Sequence, residues 1–460
     1  MTRVVIIGGG ITGLAAAWEL QQQGIDYILL EGSERLGGKI KTDRSEGFII
    51  EGAADSFLGA QKPWAWQLCR EAGLSDRMVG TNDHNRNVYI LKDGRLQMMP
   101  RGMRLLVPTD PDGLLESELL SEEGKRRMLA EPEIPARSES GDESLASFVR
   151  RRFGEEALDV FGEPLLAGIH VGNPETLSMQ ATYPNYLAME RTHGSLIEGT
   201  RKAVPPGPAL ADAPKTVFVS FRNGMYEMIE GLSAKLTGDI RLGEKVTRVE
   251  PDGTLHTSSG AVIKADKIIL TVPAHTAQKL LVEAAPKLAE ELKQIHTVSS
   301  ATVSFGFREA DLPHPLDGFG FVVASSEPTH LLASTWSSTK LAGRAPEGYA
   351  LIRVFLGGHR HEQDAKMADE ELIALARSEL AKVMGIEAEP VITRIFRWID
   401  ANTQYEVGHM ERVANFQQLC PDWLKLTGAA YGGVGIPDCV RQGRETARQV
   451  AASLEKVEKS

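Results

Sequence analysis

Val4-Val5-Ile6-Ile7-Gly8-Gly9-Gly10-Ile11-Thr12-Gly13 is the stretch whose reading decides the fold. Four consecutive apolar residues form a strand buried on both faces, as a parallel sheet requires. Residues 11–23 carry helix formers and stop before Gly24, and Tyr27-Ile28-Leu29-Leu30 is a second apolar run. Together they predict a β-α-β unit of about 30 residues. Gly8 to Gly13 fit G-x-G-x-x-G between strand and helix, with Glu31 and Gly32 at the end of the second strand, Glu31 lying 18 residues past Gly13. Glycines let the backbone approach a pyrophosphate, the helix N-terminus faces its charge, and the acid accepts ribose hydroxyls. The pattern predicts a dinucleotide-binding α/β domain and leaves NAD and FAD open.

Two later stretches narrow the ligand. Glu34-Arg35-Leu36-Gly37-Gly38-Lys39-Ile40-Lys41-Thr42 places a double-glycine turn after the second strand, and Phe48-Ile49-Ile50-Glu51-Gly52-Ala53-Ala54-Asp55-Ser56-Phe57 follows it. Near the end, Leu426-Thr427-Gly428-Ala429-Ala430-Tyr431-Gly432-Gly433-Val434-Gly435-Ile436-Pro437-Asp438-Cys439 runs from a strand through glycines into a helix. Pro437 suits the first turn of that helix. Amides and the positive end of a helix dipole at such a turn stabilise negative charge on a group that is being reduced.

Composition narrows the partners. At 460 residues the chain predicts two or three domains, and 42% hydrophobic with 25% charged residues reads as globular. A net charge of -11 repels phosphate backbones and acidic lipid, so no nucleic acid and at most a peripheral membrane contact are expected. Three cysteines, Cys69, Cys420 and Cys439, make no disulfide framework. With no cleavable leader or long apolar run, a cytoplasmic protein is expected.

The chain alternates in character. Residues 1–86, 217–297 and 394–460 read as one discontinuous dinucleotide-binding domain. Residues 87–216, with an acidic stretch at 116–143 and helical patterning at 145–166, read as a mainly helical insertion. Residues 298–393, with alternating runs such as Thr302-Val303-Ser304-Phe305, read as an antiparallel sheet that binds substrate. The expected fold class is α/β, a Rossmann-like domain with an inserted α+β substrate domain and a mainly helical domain.

With Glu34 to Thr42 and Phe48 to Phe57 in place, the chain resembles the flavin amine-oxidase and porphyrinogen-oxidase superfamily. Gly433-Val434-Gly435-Ile436-Pro437-Asp438-Cys439 with Gln442-Gly443 is similar to the HemY-type porphyrinogen oxidases, as are Glu163-Pro164-Leu165-Leu166-Ala167-Gly168-Ile169, Leu177-Ser178, Ser195-Leu196-Ile197, Gln404-Tyr405 and Val407-Gly408-His409. The resemblance implies noncovalent FAD and the six-electron oxidation of a porphyrinogen, copro- or protoporphyrinogen, in heme biosynthesis. O2 is the acceptor, H2O2 the by-product, and a ferrochelatase a possible recipient of the product. It requires no catalytic side chain beyond the flavin. Two departures, Gly59-Ala60-Gln61 where a basic residue is usual and Ala53-Ala54 for Gly-Pro, bear on polar details of the site.

Carried over by position, the adenine half meets Gly8, Gly9, Gly10, Ile11, Thr12, Gly13, Glu31 and Val246. The diphosphate and flavin half meets Lys39, Ala53, Ala54, Asp55, Ser56, Trp398, Val434, Gly435 and Ile436. Arg104 answers the substrate's carboxylates, with Ile169 and His170 as pocket walls. No metal cluster is expected: the eleven histidines are scattered, and His359 and His361 fall in a solvated loop. Cys439 is expected as a small packed residue, not a flavin thioether. An amine oxidase or carotenoid desaturase, and a flavin or porphyrin carrier without turnover, are the competing readings.

Overall fold

The structure, a computed structural model, describes residues 4–203 and 215–458. The first apolar run forms strand Val4–Ile7 at the centre of a five-stranded parallel sheet. Its order is Asp239–Arg241, Tyr27–Leu30, Val4–Ile7, Lys267–Leu270 and Leu424–Leu426. Val4, Val5 and Ile6 are wholly buried because apolar cores lie against both faces. On one face, helix Ile11–Gln22 packs against helix Ile436–Glu458. Gly443 permits this closeness, since a Cβ there would stand 2.3 Å from the Thr12 carbonyl oxygen. The two glycine turns are thereby brought to the same end of the sheet.

A seven-stranded sheet forms the second layer, in the order Ile392–Thr403, Thr297–Arg308, Tyr349–Gly357, Leu331–Trp336, Gly318–Val323, Asn87–Lys92 and Arg95–Met98. This corrects the expected boundaries. Residues 87–98 are strands of this sheet, not the start of the helical block, because Tyr89, Ile90 and Leu91 pair beside Phe321, Val322 and Val323. That pairing is parallel, so the sheet is mixed. Strand Ile392–Thr403, assigned from residue 394 to the dinucleotide domain, pairs with Thr297–Arg308 instead. The expected boundary at 216 adjoins residues 204–214, which lie outside the described residues.

The helical block is built around Phe148, Phe153 and Phe161. Its acidic stretch turns partly inward: Glu131 and Arg152 form a fully buried ion pair, and the Glu131 carboxylate also accepts from the Ser195 hydroxyl and the amides of Leu196 and Ile197. The predicted helix over 145–166 breaks into Leu145–Phe153, a short turn, and a π-helical segment Leu158–Ala167. Pro164 inside that segment lacks the amide an α-helix needs, and wide turns of this kind recur at functional sites. The chain then tightens through Gly168–His170 and reverses at Val171, which adopts φ 46°.

Candidate active site

The first glycine turn is shaped by close contacts. A Cβ on Gly13 would lie 2.0 Å from the Gly8 carbonyl oxygen, and Gly8 has φ +108°. Gly10, by contrast, opens on a recess where a Cβ would meet nothing within 4 Å. Among the described residues no side chain caps helix Ile11–Gln22, so its first amides have no capping partner. Glu31 accepts the Gly9 amide at 2.7 Å and the Ser33 amide at 2.8 Å, holding the turn as well as facing the recess. The double-glycine turn docks here, with the Gly37 amide donating to the Gly9 carbonyl at 2.8 Å. Gly32 lies against Lys245, beside Glu31. Val246 is buried near this end, but its strand Val246–Val249 belongs to a separate three-stranded antiparallel sheet and does not pair beside the first unit.

The second turn is fixed by Tyr405, whose hydroxyl donates to the Ala429 carbonyl at 2.7 Å and accepts the Gly433 amide at 2.8 Å. Gly433 has φ +122°, a conformation that a side chain would strain. Val434 packs against the core of the helical block, so the turn sits where sheet and helices meet. Gly435 and Ile436 lead into the final helix. Burial pushes the Cys439 thiol up to about 11, so it stands as a neutral thiol, its Sγ 3.6 Å from the Gly433 carbonyl oxygen.

Between the turns, residues 52–56 are clamped from the seven-stranded sheet. Trp398 Nε1 donates to the Gly52 carbonyl at 2.8 Å, and Arg353 donates to the Ala53 carbonyl at 2.6 Å. Asp55 is buried between Lys340 Nζ at 2.8 Å and Arg353 Nη2 at 3.2 Å, and Ser56 Oγ donates to it at 2.7 Å. Burial opposes ionisation of Asp55, but these two cations outweigh it and hold the carboxyl below the usual range. Asp55 and Ser56 thus position the turn that carries Ala53 and Ala54. Lys39 is exposed, with its ammonium 3.0 Å from Asn402 Oδ1. Protein packed around the ammonium in place of water lowers its pKa to about 8.

On the helical side, His170 is buried, its Nδ1 has no hydrogen-bond partner among the described residues, and its ring lies 5.7 Å from Tyr405 and 6.5 Å from Tyr183. Burial, then the Lys62 ammonium, lower it to about 4, so it is a neutral imidazole. Lys62 pairs with Asp438 at 2.6 Å. Ile169 is 61% exposed, an unusual value for a large apolar residue beside a buried one. Arg104 ends strand Met103–Arg104 of a small hairpin, exposed, with no hydrogen bond or ion pair among the described residues. Sequence reasoning missed Lys62, Lys340 and Arg353, whose positions become meaningful only once the sheet places them at the 52–56 turn and the final helix. The expected solvated loop at 359–361 is also corrected: His359 is half-buried 3.4 Å from Glu163, and burial with Arg360 beside it lowers it to about 4.

Two glycine turns at one end of a parallel sheet, with a mixed sheet clamping residues 52–56 beside them, define a flavoenzyme fold. The family described as flavin containing amine oxidoreductase matches residues 11–451, and the chain belongs to it. Over 456 residues it is 35% identical to the coproporphyrinogen III oxidase of Bacillus subtilis (strain 168), covering 96% of each chain. It is 26% identical to protoporphyrinogen oxidase 2, chloroplastic/mitochondrial, of Arabidopsis thaliana, covering 98% of this chain and 94% of that one. A crystal structure from Exiguobacterium sp. 255-15 superposes with TM-score 0.86 at 33% identity, covering 98% of this chain and 99% of that one. Within the family the chain stands with the coproporphyrinogen III oxidases, as a flavin-dependent oxidoreductase.

FAD is the cofactor of this family, and the residues fit it. The recess over Gly10 beside an uncapped helix start suits a diphosphate, and the partly desolvated ammonium of Lys39 suits an anionic neighbour. Among the described residues no helix is long and apolar enough to cross a membrane.

Proposed function

We propose that this chain oxidises a porphyrinogen to its porphyrin, in heme biosynthesis, with O2 as terminal acceptor. The observation that carries the reading is the likeness, over 96% of each chain, to a coproporphyrinogen III oxidase. FAD, bound noncovalently, supplies the two-electron redox step, repeated three times with one H2O2 formed each time.

The protein binds, orients and keeps water out. Residues 8–13 and Glu31 take the adenine half, with Gly32 and Val246 alongside. Lys39, Ala53, Ala54, Trp398, Val434, Gly435 and Ile436 surround the rest, with Asp55 and Ser56 behind them. Ile169 offers an apolar surface for a macrocycle, and His170 stays neutral, so it neither repels a substrate N–H nor competes for a carboxylate. Arg104, free of internal partners, answers a propionate at the mouth. Handover to a ferrochelatase, peripheral membrane contact and residence in the cytoplasm belong to the same proposal.

Flavin-loaded protein mixed with coproporphyrinogen III, or with protoporphyrinogen IX, in aerated buffer should develop porphyrin fluorescence and peroxide together. Bound flavin with neither signal refutes the proposal, and the ratio of kcat/KM for the two substrates assigns the true one.

A further inference from the structure

Three residues outside the flavin turns converge at the end of strands Leu331–Trp336 and Tyr349–Gly357. His361 precedes the 3-10 turn Glu362–Lys366, and the Asp364 amide donates back to the His361 carbonyl at 2.9 Å. A three-residue offset in a 3-10 turn sets both side chains on one edge. The third arrives by strand pairing: Leu331 opposes Leu356, so His330, just before strand Leu331–Trp336, comes beside the end of Tyr349–Gly357. Gly357 and Gly358, with φ +92° and +66°, turn the chain back across it.

The resulting geometry is that of a ligand set. One donor atom from each of His330, His361 and Asp364 lies within 4.8 Å of the other two. His330 Nδ1 is 2.8 Å from Asp364 Oδ2, and the imidazoles stand 4.5 Å apart at 33°. Asp364 is only 4% exposed, while both imidazoles are reachable from solvent. Neighbouring cations do not enter: Arg360 pairs with Glu163 at 2.5 Å and Lys366 with Glu362 at 3.5 Å. Behind His330, the buried Glu379 carboxylate accepts from the Thr329 hydroxyl and pairs with Lys382 at 2.7 Å, so its own charge is already balanced.

We propose that His330, His361 and Asp364 bind one zinc ion, with water completing a tetrahedron. Two imidazoles and a carboxylate are the donor set zinc takes, at about 2.0–2.1 Å per bond. Such bonds separate tetrahedral donors by about 3.3 Å, so the side chains close by about 1.5 Å at most. The ion would clip the segment that meets the pocket wall, where the His359 amide donates to the Val171 carbonyl at 3.1 Å. It has no part in the redox step.

The test uses the untagged, flavin-loaded full chain, stripped with a chelator and titrated calorimetrically with zinc alone. One equivalent should bind, and the ion should raise the thermal midpoint. His361→Ala and His330→Ala should each weaken binding on the order of a hundredfold while keeping their flavin, and His84→Ala, at an exposed histidine elsewhere, should not. Cobalt in place of zinc should give tetrahedral ligand-field bands beyond the flavin absorption. No stoichiometric heat, or wild-type affinity in His361→Ala, overturns the site.

Discussion

Lys39 shows what one side chain contributes before any ligand arrives. Its ammonium is held at about 8 by the loss of surrounding water, below the roughly 10.4 of a free lysine. Folding therefore penalises the charged form below about pH 8, and the penalty is relieved as pH rises toward the unfolded value. An anionic ligand reverses this by raising the lysine pKa, so affinity is full below about pH 8 and falls as pH climbs through the bound value. We expect the Kd of FAD for apoprotein to rise over that range. Lys39→Met should weaken binding on the order of tenfold at neutral pH and flatten the profile, read by flavin fluorescence quenching. A pH profile unchanged in the variant would remove Lys39 from the cofactor. Arg104 is read differently, through steady-state kinetics. If it meets a propionate, Arg104→Ala should raise KM several-fold, more for the four-carboxylate coproporphyrinogen than for the two-carboxylate protoporphyrinogen, with kcat held. Equal kinetics would leave it a surface residue.

At the scale of elements, what the sequence revealed and what it concealed divide by distance along the chain. Strand, turn, helix and acid at residues 4–31 are local, so their period and glycines could be read directly, and the second turn carried its own signature at 426–439. The sheet edges could not be read that way. Tyr89, Ile90 and Leu91 look like any short apolar run, and only their partners at 321–323 make them sheet instead of insertion. His330 and His361 were invisible as a pair for the same reason, since a strand pairing 25 residues apart in sequence, Leu331 with Leu356, joins them. Tyr405 belonged to a recognisable dipeptide, but its work on Gly433 and Ala429 needed the fold. That work predicts a separable effect. Tyr405→Phe keeps the packing and leaves the Gly433 amide without its acceptor, a cost of about 1–3 kcal/mol confined to the turn. Cofactor retention should fall with little change in far-UV circular dichroism, and a flavin affinity equal to wild type would show that the turn holds without the hydroxyl.

At the scale of the molecule, the cofactor turns and the seven-stranded sheet are separate layers that must keep register, and Asp55 is the tie between them. Its carboxylate joins the 52–56 turn to Lys340 and Arg353 of the other layer, while the Asp55 carbonyl accepts the Ser220 hydroxyl at 2.6 Å. Asp55 and Arg353 are almost wholly out of water and Lys340 is largely so, and their attraction to the one carboxylate is what makes burying these charges tolerable. Because the folded carboxyl lies below its unfolded value of about 4, its contribution is present above that pH and is lost as pH falls further. Asp55→Asn keeps the shape and strands two cations, which should cost about 3–5 kcal/mol and release flavin together with the fall in melting temperature. Removing one stranded cation should recover part of the loss, so Lys340→Met should be less harmful in the Asp55→Asn background than in wild type. That coupling separates a tie between layers from a merely buried acid: two additive losses would mean that Asp55 and Lys340 act independently, and that the register of the layers is set elsewhere.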